Sequence, residues 1–181
     1  LALSREDLEG LIENAPGIIV VDEAYVEFNP EGSVLDLMDQ FPNLLILRTL
    51  SKAFGLAGMR LGYMIGHPTL IKELMKSRLP FMVDRIAEAA AVAILEREDL
   101  VSERVGQMQA WTAELSVELE RLEDVAVISG QSNFVLFKTP VDPPVMLNKL
   151  AESGVLVRNM GGYPELTGYL RVTSGTPEEN R

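Results

Sequence analysis

The chain has 181 residues, 47% hydrophobic and 24% charged, an ordinary globular composition that fits one large domain or two modest ones. Its 27 acidic and 16 basic residues leave a net charge of -11, which argues against a general binder of nucleic acid or anionic membrane, since both need basic surface. With no cysteine and a single histidine, His67, the sequence excludes a disulfide framework, a thiolate metal site and a histidine metal cluster.

Residues 4–14 read as a short amphipathic helix, with Ser4 as N-cap, Asp7 three residues on, and Leu8, Leu11 and Ile12 on one face. Ala15-Pro16-Gly17 stops it. Residues 17–21 then form a β-branched run of the kind seen in a strand buried on both faces, with Asp22 at its C-terminal end. A second apolar run, 44–47, leads through Arg48-Thr49-Leu50 to Ser51-Lys52, and a third covers 60–66. Helix followed by apolar strand, repeated, predicts an α/β sheet, in which ligands gather at strand C-termini. Asp22 and Lys52 both fall there.

From Pro68 onward helices are expected, over 69–77, 86–96 and about 99–122. The last carries Val101, Val105, Met108, Leu115, Leu119 and Leu122 at helical spacing, with Trp111 beside them as further core. Short strands follow at 125–128 and 133–137, then a helix at 143–153 closed by Gly154, and strands at 155–158 and 169–173. These make a small α+β unit. The expected boundary lies within the helices, dividing the chain into domains 1–90 and 91–181. No apolar run approaches the roughly 20 residues of a membrane-spanning helix. The first residues lack the basic-then-apolar pattern of a signal peptide, so a cytoplasmic protein is expected.

Lys52 stands beside Ser51, with Arg60 eight residues on and Gly55 and Gly58 between them to let the loop turn tightly. Ser51 and Arg60 can both hold a phosphate. Asp22 and, three residues later, Tyr25 offer a carboxylate and a phenol. Together these are the groups pyridoxal 5'-phosphate needs: an amine for its aldehyde, a carboxylate for its pyridinium nitrogen, and a hydroxyl and guanidinium for its phosphate. Each residue taken alone would be an ordinary surface charge, cap or half-buried tyrosine. His67 has no evident chemical partner, and the acidic run from Glu114 to Asp124 reads as a solvated helix face.

Asp22-Glu23-Ala24-Tyr25 and the phrase 51–63, Ser-Lys-Ala-Phe-Gly-Leu-Ala-Gly-Met-Arg-Leu-Gly-Tyr, resemble the class I/II aminotransferases of fold type I, most closely their histidinol-phosphate group. The resemblance implies part of the large cofactor domain, with its mostly parallel sheet, plus a small C-terminal α+β domain. It implies that Lys52 is catalytic, bonding the cofactor and shuttling a proton. Asp22 would pair with the ring nitrogen, Tyr25 with the ring oxygen, and Ser51 and Arg60 with the phosphate. The segment 169–176 resembles the one whose arginine, here Arg171, clamps a substrate carboxylate. The segment 157–163 resembles the one that offers an arginine, here Arg158, to a substrate phosphate. Asn133 takes a supporting structural role. The substrates implied are an amino-alcohol phosphate or amino acid and a 2-oxo acid, and the assembly a homodimer. Aromatic or broad-range aminotransferases and threonine-phosphate decarboxylase share the cofactor phrase. A non-catalytic folding or interaction module is the reading from another class.

The resemblance covers only the later part of the family's chain. Its glycine-containing phosphate turn, the aromatic residue stacked on the ring and the last helix have no counterpart here. Leu1 in place of Met, and a helix-start signal at 176–179 with no helix after it, raise the expectation that both ends have been cut.

Overall fold

The computed structural model describes residues 3–181. Ser4 caps α1 (Arg5–Asn14), its hydroxyl accepting from the Asp7 amide at 3.2 Å and supplying an acceptor the first turn otherwise lacks. Ile12 is buried, whereas Leu11, expected on the same face, is half exposed. Strand β1 (Ile19–Asp22) pairs in parallel with β2 (Leu44–Thr49), and β2 pairs antiparallel with β3 (Gly62–Gly66), in the order β1-β2-β3.

The core of this sheet lies on one face. Ile12, Val34, Leu37, Leu44 and Ile46 form it, with Leu8, Ile19, Val21 and Ile65 packed against it. Leu44 and Ile46 are fully enclosed, each contributing about 1.5–3 kcal/mol of burial. Ile18 and Val20, in contrast, are 52% and 53% exposed. The strand expected to be buried on both faces is therefore covered on one. Strand alternation sends residues 19 and 21 toward α1 and the 3-10 turns that follow β1, and sends 18, 20 and 22 the other way.

Helices α2 (Pro68–Met75), α3 (Arg85–Leu95) and α4 (Glu98–Glu120) follow. His67 caps α2, Nδ1 accepting from the Thr69 amide at 3.3 Å ahead of Pro68 in the first turn. Asp84 caps α3 through two backbone amides. Two compact units divide the chain, one ending at Arg104 and the other spanning Val105–Arg181, so the division falls inside α4. Along that helix Val101, Val105, Thr112, Leu115 and Ser116 are buried. Leu122, expected in its core, lies past the helix end and is 55% exposed.

The second unit is an antiparallel sheet of β4 (Ala126–Ile128), β5 (Phe134–Lys138), β6 (Arg158–Asn159) and β7 (Tyr169–Thr173), ordered β4-β5-β7-β6, with α5 (Pro143–Glu152). Val135, Phe137 and Leu170 are its buried residues on one face. Strand β6 is shorter than the expected 155–158. Gly154, at φ +82, closes α5, and the Val155 amide turns back to the Leu150 carbonyl at 2.8 Å, so this backbone caps a helix instead of joining a ladder. No helix among the described residues is long and apolar enough to cross a membrane.

Candidate functional site

Parallel pairing puts the C-terminal ends of β1 and β2 at one edge of the first sheet. Asp22 stands opposite Leu47, and the Glu23 amide continues the ladder to the Leu47 carbonyl at 2.8 Å. Strand β3 begins at the same edge, with Gly62 opposite Thr49 and the Leu50 amide bonded to the Leu61 carbonyl at 3.1 Å. Asp22 and the distant 51–60 segment with Ser51, Lys52 and Arg60 therefore share that edge. Tyr25 joins them: the Lys52 Nζ lies 5.4 Å from the centre of its ring, over the face. The Tyr25 ring is set in turn against Phe28, 6.2 Å between centres.

The loop carrying Lys52 is tightly drawn. The Gly55 amide donates to the Lys52 carbonyl at 3.0 Å, the Leu56 amide to the Leu50 carbonyl at 2.9 Å, and the Ser51 amide to the Thr49 hydroxyl at 3.1 Å. Gly55 sits at φ +71, a conformation that glycine adopts without the steric cost a Cβ brings. Arg60 adopts φ 53 and donates from Nη1 to the Ala57 carbonyl at 2.9 Å, with its side chain exposed. Asp22, at the end of the strand expected to be buried on both faces, is exposed, and its Oδ1 accepts from the Ala24 amide at 3.0 Å. That bond fixes one carboxylate oxygen.

Sequence reasoning missed the pair beneath this edge. Glu23, with its side chain 4% exposed, accepts from Arg48 Nε at 2.9 Å, with Nη2 2.8 Å away in the same ion pair, and also accepts from the Ser33 hydroxyl and the Val34 amide. Burial alone would lower Arg48, but its bonds to Glu23 and Tyr63 hold the guanidinium above its ordinary value. The available signal was an arginine ending an apolar strand, with two acidic residues at the end of the neighbouring strand. Glu27, in the following 3-10 turn, has its carboxyl pushed up by burial, and its Oε2 is buried without a hydrogen-bond partner.

In the second unit Arg171 occupies the middle of β7, opposite Leu136 of β5 and opposite Arg158 of β6. Directly opposed residues of antiparallel strands project from the same face, so the two arginines stand side by side. The Arg171 guanidinium lies 5.0 Å from the centre of the Phe134 ring, and its buried Nε has no hydrogen-bond partner. Among the described residues neither arginine enters an ion pair. Two like charges opposed across a ladder repel, and an anion between them would reverse the sign. The Asn133 carbonyl accepts from the Ser174 amide at 3.0 Å, pinning the chain just past β7.

The whole chain, residues 1–181, matches the family model described as aminotransferase class I and II. A histidinol-phosphate aminotransferase from Chlorobaculum tepidum is 41% identical over 179 residues, covering 99% of this chain and 51% of that protein. The chain thus spans about half the length of the curated relatives it matches. Among solved structures, histidinol-phosphate aminotransferase from Sinorhizobium meliloti in complex with pyridoxal-5'-phosphate superposes with a TM-score of 0.87 at 25% identity, over 99% of this chain and 50% of that one. L-threonine-O-3-phosphate decarboxylase from Porphyromonas gingivalis gives 0.83 at 27% identity, over 98% and 56%.

Proposed function

The chain belongs to the class I and II aminotransferases, and on that basis we propose that it forms the later half of a pyridoxal-phosphate enzyme that transfers an amino group between histidinol phosphate and 2-oxoglutarate. The observation that carries this reading is the Lys52 amine over the Tyr25 ring, at the sheet edge that also holds Asp22, Ser51 and Arg60. The residues fit the group by the chemistry of their donors: one amine, one fixed carboxylate, one phenol, and a hydroxyl and guanidinium on the same loop.

Bound pyridoxal phosphate supplies an aldehyde that takes up an amine and a ring that withdraws electrons from the adjoining carbon. Lys52 would hold the group through Nζ, and the same amine would serve as the base that moves a proton. Asp22 would accept from the ring N–H and keep that proton in place. Its Oδ1 is already aimed by the Ala24 amide. Tyr25 donates to the ring oxygen. Ser51 and Arg60 take the phosphate, Arg60 exchanging the neutral Ala57 carbonyl for a charged acceptor, which makes the stronger hydrogen bond.

Arg171 grips a substrate carboxylate by its planar fork, and Arg158 beside it takes a second anion. A phosphorylated substrate accounts for the second arginine; an aromatic or broad-range aminotransferase leaves it without work. A phosphothreonine decarboxylase would use the same pair, and the likeness to the Porphyromonas structure favours it as the second reading. We assign residues 1–90 to the cofactor domain and 91–181 to the small domain of a cytoplasmic homodimer. The 181 residues alone are not expected to turn over.

The test is spectroscopic. Pyridoxal phosphate added to the protein should give a visible absorption band that Lys52→Ala removes. Absence of a Lys52-dependent band in the 181-residue chain and in the complete protein alike would leave a non-catalytic module as the reading. In the complete enzyme, Arg158→Ala should abolish the preference for a phosphorylated substrate, and an unchanged preference would remove the histidinol-phosphate assignment.

A further inference from the structure

Arg104, fifty residues downstream of the Lys52 loop, is in direct contact with it. From α4 its Nη1 donates to the Phe54 carbonyl at 3.0 Å, with the guanidinium partly buried. The contact is close: a Cβ on Gly55 would come within 2.4 Å of Nη1, and the guanidinium would have to move aside to admit it. Gly55 thus meets two demands at once, the positive φ of the turn and room for the guanidinium lying over it. The turn it closes is the one whose first residue is Lys52, through the Gly55 amide to Lys52 carbonyl bond at 3.0 Å.

We propose that Arg104 is a positioning residue for Lys52, fixing the 52–55 turn from its far side so that Nζ is held over the Tyr25 ring. This rests on the assignment of Lys52 as the amine that bonds the cofactor. The physical reason is one of constraint. Within the loop, backbone bonds tie Lys52 to Gly55 and Leu50 to Leu56, but neither uses the Phe54 carbonyl between them. A charged donor at that carbonyl fixes the orientation of the 54–55 peptide plane. A fixed peptide plane limits the directions the Lys52 side chain can take. The five-donor guanidinium does this from a helix, a more rigid base than another loop would be. No carboxylate among the described residues forms an ion pair with Arg104, and its Nη1 is given to the loop carbonyl.

The experiment uses the complete protein and compares Arg104→Met, which keeps length but removes the donors, with Arg104→Lys, which keeps one donor and the charge. In cofactor-free protein, amide hydrogen exchange over residues 52–60 should quicken by about 10-fold in Arg104→Met, the loss expected of a hydrogen bond to a charged donor, while peptides elsewhere keep their rates. Arg104→Lys should fall between the two, and it carries the test by itself if Arg104→Met does not fold. Pyridoxal phosphate affinity, read from the absorption band, should weaken by about the same factor and recover in part with Arg104→Lys. Unchanged exchange over 52–60, or exchange that quickens equally throughout the chain, overturns the proposal. Failure of the Lys52 assignment is distinguishable: wild type would then give no band, and the exchange measurement would still report on Arg104 and the loop.

Discussion

Two arginines, one in each unit, occupy strands yet live in opposite circumstances. Arg48 at the end of β2 has its charge answered by Glu23 and Ser33, and Glu23 is saturated in return by Arg48, Ser33 and the Val34 amide. Arg171 in the middle of β7 has an aromatic face, a second arginine opposite it and a buried Nε with no acceptor. A guanidinium whose charge is met by the fold's own acceptors is spent on holding the fold. One whose acceptors are missing is available to a ligand that brings them. The contrast marks Arg48 as a structural cation and leaves Arg171 as the proposed binding one.

The largest effect that could break this contrast is on stability. Arg48→Met strands the Glu23 carboxylate in the interior, and a loss of about 3–5 kcal/mol in denaturant unfolding is expected. A loss under 1 kcal/mol would mean that water reaches Glu23 and that the pair is not a framework element. Arg171→Met should do the reverse. Unfolding should change by no more than about 1 kcal/mol, the worth of its contact with the Phe134 ring. Affinity for a dianionic substrate in the complete enzyme should fall by about 100-fold, the cost of losing a bidentate charged grip. A large stability loss here would make Arg171 structural after all.

A smaller effect concerns Glu27. Burial raises its folded-state carboxyl above the value of the unfolded chain. The folded form therefore binds the proton more tightly, and the stabilisation is present below the unfolded value of 4.5 and lost as pH rises through the folded one. Glu27→Gln should flatten that part of the pH–melting curve, and a wild-type curve that already matches the variant would show the carboxyl to be solvated. The smallest effect is expected at the exposed pair of Arg97 with Asp99, whose carboxyl is held down at about 2. Arg97→Ala should leave the melting temperature unmoved at physiological salt, because exposed pairs are screened.

Much of the local structure was legible because it is local chemistry. Ser4 with Asp7, Pro68 and Gly154 announced the ends of α1, α2 and α5, and the 169–173 strand was read to its residue limits. The phrases around Asp22 and Lys52 were equally plain, since turn glycines and the lysine between them leave a sequence mark. What escaped was non-local. Glu23 carries no local mark of burial, and only the pairing of β1 with β2 brought Arg48 against it. The one-sided burial of β1 and the exposure of Asp22 depended on which face α1 covers, which an unbroken β-branched run does not reveal.

The residue types needed for an amino-transfer cofactor, and the family to which the chain belongs, were therefore determined by the sequence alone, because each donor's chemistry is carried by its own side chain. Their convergence was decided by the tertiary structure. Parallel pairing put Asp22 and Lys52 at one edge, the closed turn brought Nζ over Tyr25, and Arg104 came down on the Phe54 carbonyl from fifty residues away. Periodicity and spacing report on a chain's neighbours in sequence. Hydrogen bonds between strands and across helices are what set its neighbours in space.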